Sequence, residues 1–170
     1  MRQASAVVLL VLLVGVVGLG MVAAWRRRGT WQLAELELPP LPPTPAEPGA
    51  PLTADTDGVY VSTTTAGNWL DRVTARGLGT RSAATMAVTA AGVSWLRQGA
   101  PDVFAAASAL VGARRADGIA GKVMPPGGIV VVTWRLGAAQ LDTGFRPASA
   151  PDAERLVAAV ERLAHAGSAR

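Results

Sequence analysis

The sequence predicts a mainly β domain closed by one C-terminal α-helix and preceded by one transmembrane α-helix. Three observations carry that expectation. No charge occurs between Arg2 and Arg26. Seven of the twelve prolines fall between Pro39 and Pro51, so the composition changes on either side of them. From Thr53 onward apolar residues alternate over short stretches, until a last segment where their spacing turns helical. The expected divisions are residues 1–28, an apolar anchor with a basic flank; 29–56, a proline-rich linker; and 57–168, the folded domain.

The 23 residues between Arg2 and Arg26 would make a helix of about 35 Å at 1.5 Å per residue. A bilayer's hydrocarbon core is about 30 Å thick. Val7 to Val17 is almost wholly aliphatic, which leaves no polar face, and Gly15, Gly18 and Gly20 are tolerated in lipid. Val22-Ala23-Ala24 offers small residues before a signal-peptidase cut. The apolar run nevertheless exceeds the roughly 7–15 residues of a signal peptide. It also ends in Trp25, Arg26, Arg27 and Arg28, an interfacial aromatic followed by a basic cluster, which marks a retained anchor. Membrane lipids are the expected partner of this segment. One arginine precedes it and three follow, so the positive-inside bias places the C-terminal domain in the cytoplasm, on the inner (plasma) membrane.

The stretch from Pro39 to Pro51 cannot be helical, because proline lacks the N–H and disfavours αR in the residue before it. In polyproline II form it would extend about 40 Å at roughly 3.1 Å per residue, a semi-stiff spacer lifting a domain off the membrane. Its P-x-x-P spacings, such as Pro40 to Pro43, follow from proline density alone. Just before it, Trp31, Leu33, Leu36 and Leu38 interleave with Glu35 and Glu37, a pattern open to either an interfacial segment or an edge strand.

Residues 58–65 are β-branched and alternate, which predicts a strand. Residues 83–89 and 92–98 flank a short Ala-Ala-Gly link and predict a hairpin. Residues 102–106 and 109–115 read as two further strands. Residues 128–136 are apolar on both faces, as in a buried central strand, and pair across Gly137-Ala138-Ala139 with residues 140–146. The final segment opens with Ser149 and Asp152 in S-x-x-D spacing, a helix start. Leu156, Val160, Leu163 and Gly167 line one face of that helix, Glu154, Glu161, Arg162 and His165 the other.

This order of about seven strands and a closing helix resembles the pleckstrin-homology (PH) superfold. Residues 58–73, 76–82, 118–123 and 131–146 are similar to stretches of actinobacterial single-pass membrane proteins with a bacterial PH-like domain. The likeness covers the whole chain, anchor and linker included. It implies a curled antiparallel sheet or split barrel, with loops at its open end that bind headgroups or peptides. It implies no catalytic role.

The residues themselves exclude several chemistries. There is no cysteine, hence no disulfide, thiolate zinc site or cysteine nucleophile. His165 is the sole histidine and falls on the polar helix face, so no metal site or Ser-His-Asp triad is expected, and no cofactor. Leu141-Asp142-Thr143-Gly144 matches the aspartic-protease triplet, but a second copy is missing and Phe145 stands where that pattern takes Ser or Ala. Its plain reading is a strand end with Asp142 bonding nearby amides. Gly118 to Lys122 falls short of a phosphate loop, with two residues between the glycines rather than four, and Val123 after the lysine. Trp69, Trp95 and Trp134 are read as core or rim packing, without the basic interleaving of a nucleic-acid face.

What remains is cationic. Arg72, Arg76, Arg81 and Lys122 lie in polar, glycine-rich connections and are the candidates to converge on an acidic partner. Arg114 and Arg115 precede the long loop that carries Lys122 and add to it as candidates for holding a phosphate. From Leu52 on, 12 basic against 9 acidic residues leave a modest excess of +3. The expected function is a membrane-anchored, non-catalytic adaptor that presents the domain to an unidentified protein partner or an anionic headgroup. The alternatives are an accessory subunit of a transport or export complex, and a dimeric protease acting through Asp142.

Overall fold

The computed structural model describes residues 13–24, 38–123 and 128–168. Residues 13–24 form a helix, α1, in which every residue is exposed, with Leu13, Val14, Val16, Val17, Leu19, Met21 and Val22 between 52% and 73%. Twelve residues reach only about 18 Å, and among the described residues no helix is long and apolar enough to cross a membrane. The earlier part of the expected anchor, up to residue 12, and the expected interface group Trp25, Arg26, Arg27 and Arg28 lie outside the described residues.

The domain is a seven-stranded antiparallel sheet. Its strands are β1 (Thr56–Thr65), β2 (Ser82–Thr89), β3 (Gly92–Arg97), β4 (Val103–Ala106), β5 (Leu110–Ala116), β8 (Ile129–Leu136) and β9 (Ala139–Pro147), in the order β4-β3-β2-β1-β9-β8-β5. Between β5 and β8 stands a separate small hairpin of β6 (Gly118–Ile119) and β7 (Lys122–Val123). A helix, α2 (Ala150–Ser168), completes the chain. Each strand expected from sequence is present within a residue or two of its place.

The sheet must curl. Its edge strands β4 and β5 are joined by one short turn, Ala107–Ala109. Four residue steps reach about 14 Å, whereas six interstrand spacings laid flat would hold the edges nearly 30 Å apart. Period-two alternation then sets the faces. On β8, Val130, Val132, Trp134 and Leu136 point inward, joined by Leu141 and Phe145 of β9, Val93 and Trp95 of β3 and Met86 and Val88 of β2. Against this concave core α2 lays Ala153, Leu156, Ala159, Val160, Leu163 and Ala164. The helix starts as expected, with the Asp152 N–H donating to Ser149 Oγ and the Ser149 hydroxyl donating to Asp152 Oδ2 at 2.7 Å. That hydroxyl holds the Asp152 carboxyl below its ordinary value.

Two features depart from the expected plan. Residues 38–55, expected as a free spacer, are laid along the sheet. Leu38 is 3% exposed inside the core, and Leu41 packs on it. The Leu52 N–H donates to the Val88 carbonyl (2.9 Å), Ala90 N–H to Ala50 (3.0 Å) and Ala91 N–H to Pro48 (3.2 Å). Pro51 pairs with Thr89, prolonging along β2 the ladder that β1 begins at Thr56–Met86. Proline density rules out helix, but proline loses only its donor; its carbonyl, and those of its neighbours, still serve an edge strand.

The second feature is a small core on the outer face. Ile119 of the β6–β7 hairpin packs with Val61, Ile129 and Val131. It sits so close over Gly144 that a Cβ there would lie 2.6 Å from Ile119 Cγ2. The hairpin therefore folds back over the sheet. Its tip, Ala120 (φ 54°) and Gly121 (φ 73°), is left-handed at both central positions, the geometry of a two-residue hairpin turn. The stretch that falls short of a phosphate loop is thus a reverse turn.

Candidate functional site

Three connections gather at one end of the curled sheet: residues 66–81 between β1 and β2, 98–102 between β3 and β4, and the β8–β9 turn. Past Tyr60 the register of β1 against β9 shifts at Val61, and β2 no longer pairs with it. The 66–81 connection takes the place of β2. Thr63 N–H donates to Leu78 O and Val73 N–H to Thr63 O, both at 3.0 Å, and Thr65 N–H donates to Asp71 O. Ala66 N–H donates to Gln140 O at 2.9 Å, which ties in the start of β9. Val73, Ala75 and Leu78 are buried in the main core, so a stretch that reads as polar loop contributes three core residues.

Arg97 pins this end. It is 7% exposed, and its guanidinium donates to the carbonyls of Gly77 (3.1 Å), Pro101 (3.0 Å) and Thr80, and to Ser82 Oγ (3.1 Å). It stacks 4.0 Å from the centroid of the Tyr60 ring. Burial lowers its pKa, opposed by Tyr60 and Asp102. Tyr60 in turn bonds Thr63 Oγ1 at 2.5 Å and donates to Leu78 O at 3.0 Å. Thr63 meets Thr143 (2.8 Å), to which Trp134 Nε1 donates (2.9 Å). Complete burial pushes the Tyr60 phenol up to about 12. Arg97 is not among the cations that stand out in the sequence. Its signal was present, since Val93, Trp95 and Arg97 share one parity on β3 and the first two are core residues.

The six candidate cations do not form one cluster as a group. Arg76 is exposed and left-handed (φ 56°), and its guanidinium donates to the carbonyl of Leu38 at 3.2 Å, holding the proline segment where it enters the domain. Arg72 donates to Ala120 O at 3.3 Å, which brings it to the hairpin that carries Lys122. Arg81 is exposed just before β2. Arg114 and Arg115 turn to opposite faces of β5: Arg114 pairs with Asp142 of β9, Arg115 with Glu154 of α2, each at 2.9 Å. The structure thus ties Arg72 to the tip of the hairpin in which Lys122 lies and directs Arg115 to the helix.

Asp142 is not at a strand end but in the middle of β9, 4% exposed. It accepts from Thr133 Oγ1 of the adjacent β8 at 2.6 Å and from Arg114 of β5 beyond it, so its partners are side chains across the sheet rather than nearby amides. Thr143 is committed to the Tyr60 network and Gly144 to the contact with Ile119. The triplet is strand packing, and this corrects the expectation of a strand end with Asp142 on nearby amides. Trp95 and Trp134 are fully buried, whereas Trp69 is 47% exposed. His165 is exposed, its ring against the Glu161 carbonyl (2.7 Å), and among the described residues no group of three or more His, Cys, Asp or Glu could hold a metal. Glu161, expected on the solvent face, instead accepts from the Ala113 N–H and covers the free edge of β5.

No curated protein matches the chain. A family model described as bacterial PH domain-like matches residues 38–161, which begins at the buried Leu38 and runs into α2. With the strand order, the curled sheet and the packed C-terminal helix in agreement, the chain belongs to the bacterial PH domain-like family.

Proposed function

We propose that this protein is a membrane-anchored, non-catalytic binding module, its anchor lying within residues 4–24 and its PH-like domain held close to the bilayer on the cytoplasmic side. The observation that carries the reading is α1, whose large aliphatic side chains are all exposed and which continues a charge-free sequence back to Arg2. Water does not tolerate such a helix uncovered on every side, whereas acyl chains do. PH-like domains are in general binding modules rather than catalysts. That supports an adaptor role toward a protein partner or an anionic headgroup, as a single protein or as an accessory subunit of a transport or export complex.

Extraction of cell membranes with alkaline carbonate tests the anchor. The full chain is expected to stay in the membrane pellet with its amino terminus intact. Release into the supernatant, or a mature chain beginning at Trp25, would overturn the reading. Protease added to inverted membrane vesicles is expected to degrade the domain, and protection there would reverse the orientation.

A further inference from the structure

The apolar tip beside the β6–β7 hairpin points to a second membrane contact, made by the domain itself. Trp69 is 47% and Leu70 62% exposed, in the connection that leaves β1. They are not on a loose loop. The Asn68 N–H donates to Thr65 O and the Asp71 N–H to Asn68 O, both at 3.1 Å. Asn68 Oδ1 accepts from the Leu70 N–H, and the Thr65 hydroxyl closes the turn onto Asp71 Oδ2 at 2.7 Å. The turn therefore presents two large apolar side chains in a fixed direction. Leu70 reaches the hairpin tip, its Cδ2 3.8 Å from where a Cβ on Gly121 would stand. Arg72 is bonded to Ala120 O of the same tip, and Lys122 follows Gly121 in the hairpin.

We infer that Trp69 and Leu70, flanked by Arg72 and Lys122, seat this end of the domain in the headgroup region of an anionic bilayer. A Trp beside basic side chains suits the membrane interface, where the ring meets acyl carbons and the cations meet phosphate. The inference rests on the anchor proposed above, and the course of the chain selects lipid as the occupant. Leu38 is fixed to the domain by burial and by Arg76, in the very connection that carries Trp69 and Leu70. The chain therefore enters from α1 at the end that bears the apolar tip. Only residues 25–37 separate α1 from Leu38, a leash of at most about 45 Å. A weak interfacial contact on so short a leash acts at high effective concentration.

The test uses the full chain reconstituted into vesicles of phosphatidylglycerol and phosphatidylcholine, with or without bromine on the acyl chains. Bromine quenches tryptophans that touch lipid. Trp69→Phe is expected to remove a distinct part of the quenched emission, and Trp25→Phe to remove another. Leu70→Glu, a change at an exposed position, is expected to abolish the Trp69 part and spare the Trp25 part. If Trp25 is quenched and Trp69 is not, the tip faces water or a protein; the inference fails and the anchor stands. If neither is quenched, both fall together.

Discussion

At the scale of single residues, the weight of the domain falls on two buried polar groups that no motif announces. Arg97 replaces its lost hydration with three backbone carbonyls and a hydroxyl. Arg97→Met removes the donors and leaves those carbonyls under-bonded at a buried end, which should cost about 3 kcal/mol, read from the urea midpoint at unchanged slope. Arg97→Lys should recover only part of that, because an ammonium lacks the planar fork. Tyr60 gives a pH signature. Its folded-state pKa near 12 stands above the value of 10 it has in the unfolded chain. Between these values the unfolded state has released the proton and the folded state has not. Stability is therefore full below pH 10 and declines toward pH 12, by on the order of 2–3 kcal/mol. Tyr60→Phe should remove that slope, measured by chemical denaturation at a series of alkaline pH values. An unchanged slope would mean that another group titrates.

At the scale of elements, the two pieces that depart from a simple strand count are the ones most open to test. The β6–β7 hairpin is joined to the sheet chiefly by Ile119 over Gly144 and by the Arg72 bond to its tip. Ile119→Ala should therefore cost about 2–4 kcal/mol if the site does not collapse. Hydrogen exchange should speed up at residues 118–123 before it does in β1 and β9. Equal acceleration throughout would show that the hairpin is inseparable from the main core. The proline segment is the second case. Leu38→Ala should lose about 2–3 kcal/mol. A chain beginning at Thr53, near the boundary that composition suggests, should be less stable than one beginning at Leu38 by at least that amount. Equal thermal midpoints for the two would return the segment to the role of a spacer. The α2 start needs no such correction, since Ser149 and Asp152 announce it in four residues and form it with local bonds.

At the scale of the whole molecule, the docked proline segment changes what the proposed anchor would imply. A free spacer from residue 29 to 56 would let the domain range far from the bilayer in any orientation. With Leu38 buried, thirteen residues separate α1 from the domain, and the proposed anchor would hold it by the end that carries Arg76, Trp69 and Leu70. A fluorophore placed on the exposed Ala166 at the far end of α2 should accordingly sit farther from labelled lipid headgroups than one placed on the exposed Asn68. Equal energy transfer from the two positions would remove the orientation argument.

The strands, both hairpins expected from their short links and the closing helix were legible because they rest on local rules. Period-two and period-3.6 apolar spacing, glycine-rich links and a capping pair act over a few residues each, and one sequence exposes them. The candidate site was legible only as a list of cations. Arg114 and Arg115 look alike in sequence, yet strand alternation and the neighbours across the sheet send one to Asp142 and the other to Glu154. The partners of Leu38 and Ile119 were invisible because they lie far along the chain, at Arg76 and Gly144, and those of Arg97 because Gly77, Thr80 and Ser82 lie 15 to 20 residues away. The sequence by itself determined which segments are strand, helix or charge-free apolar stretch, since those depend on near neighbours along the chain. Only the tertiary structure decided which charges are satisfied, which prolines are docked and which end carries the exposed tryptophan. Those depend on surfaces that meet only once the sheet has curled.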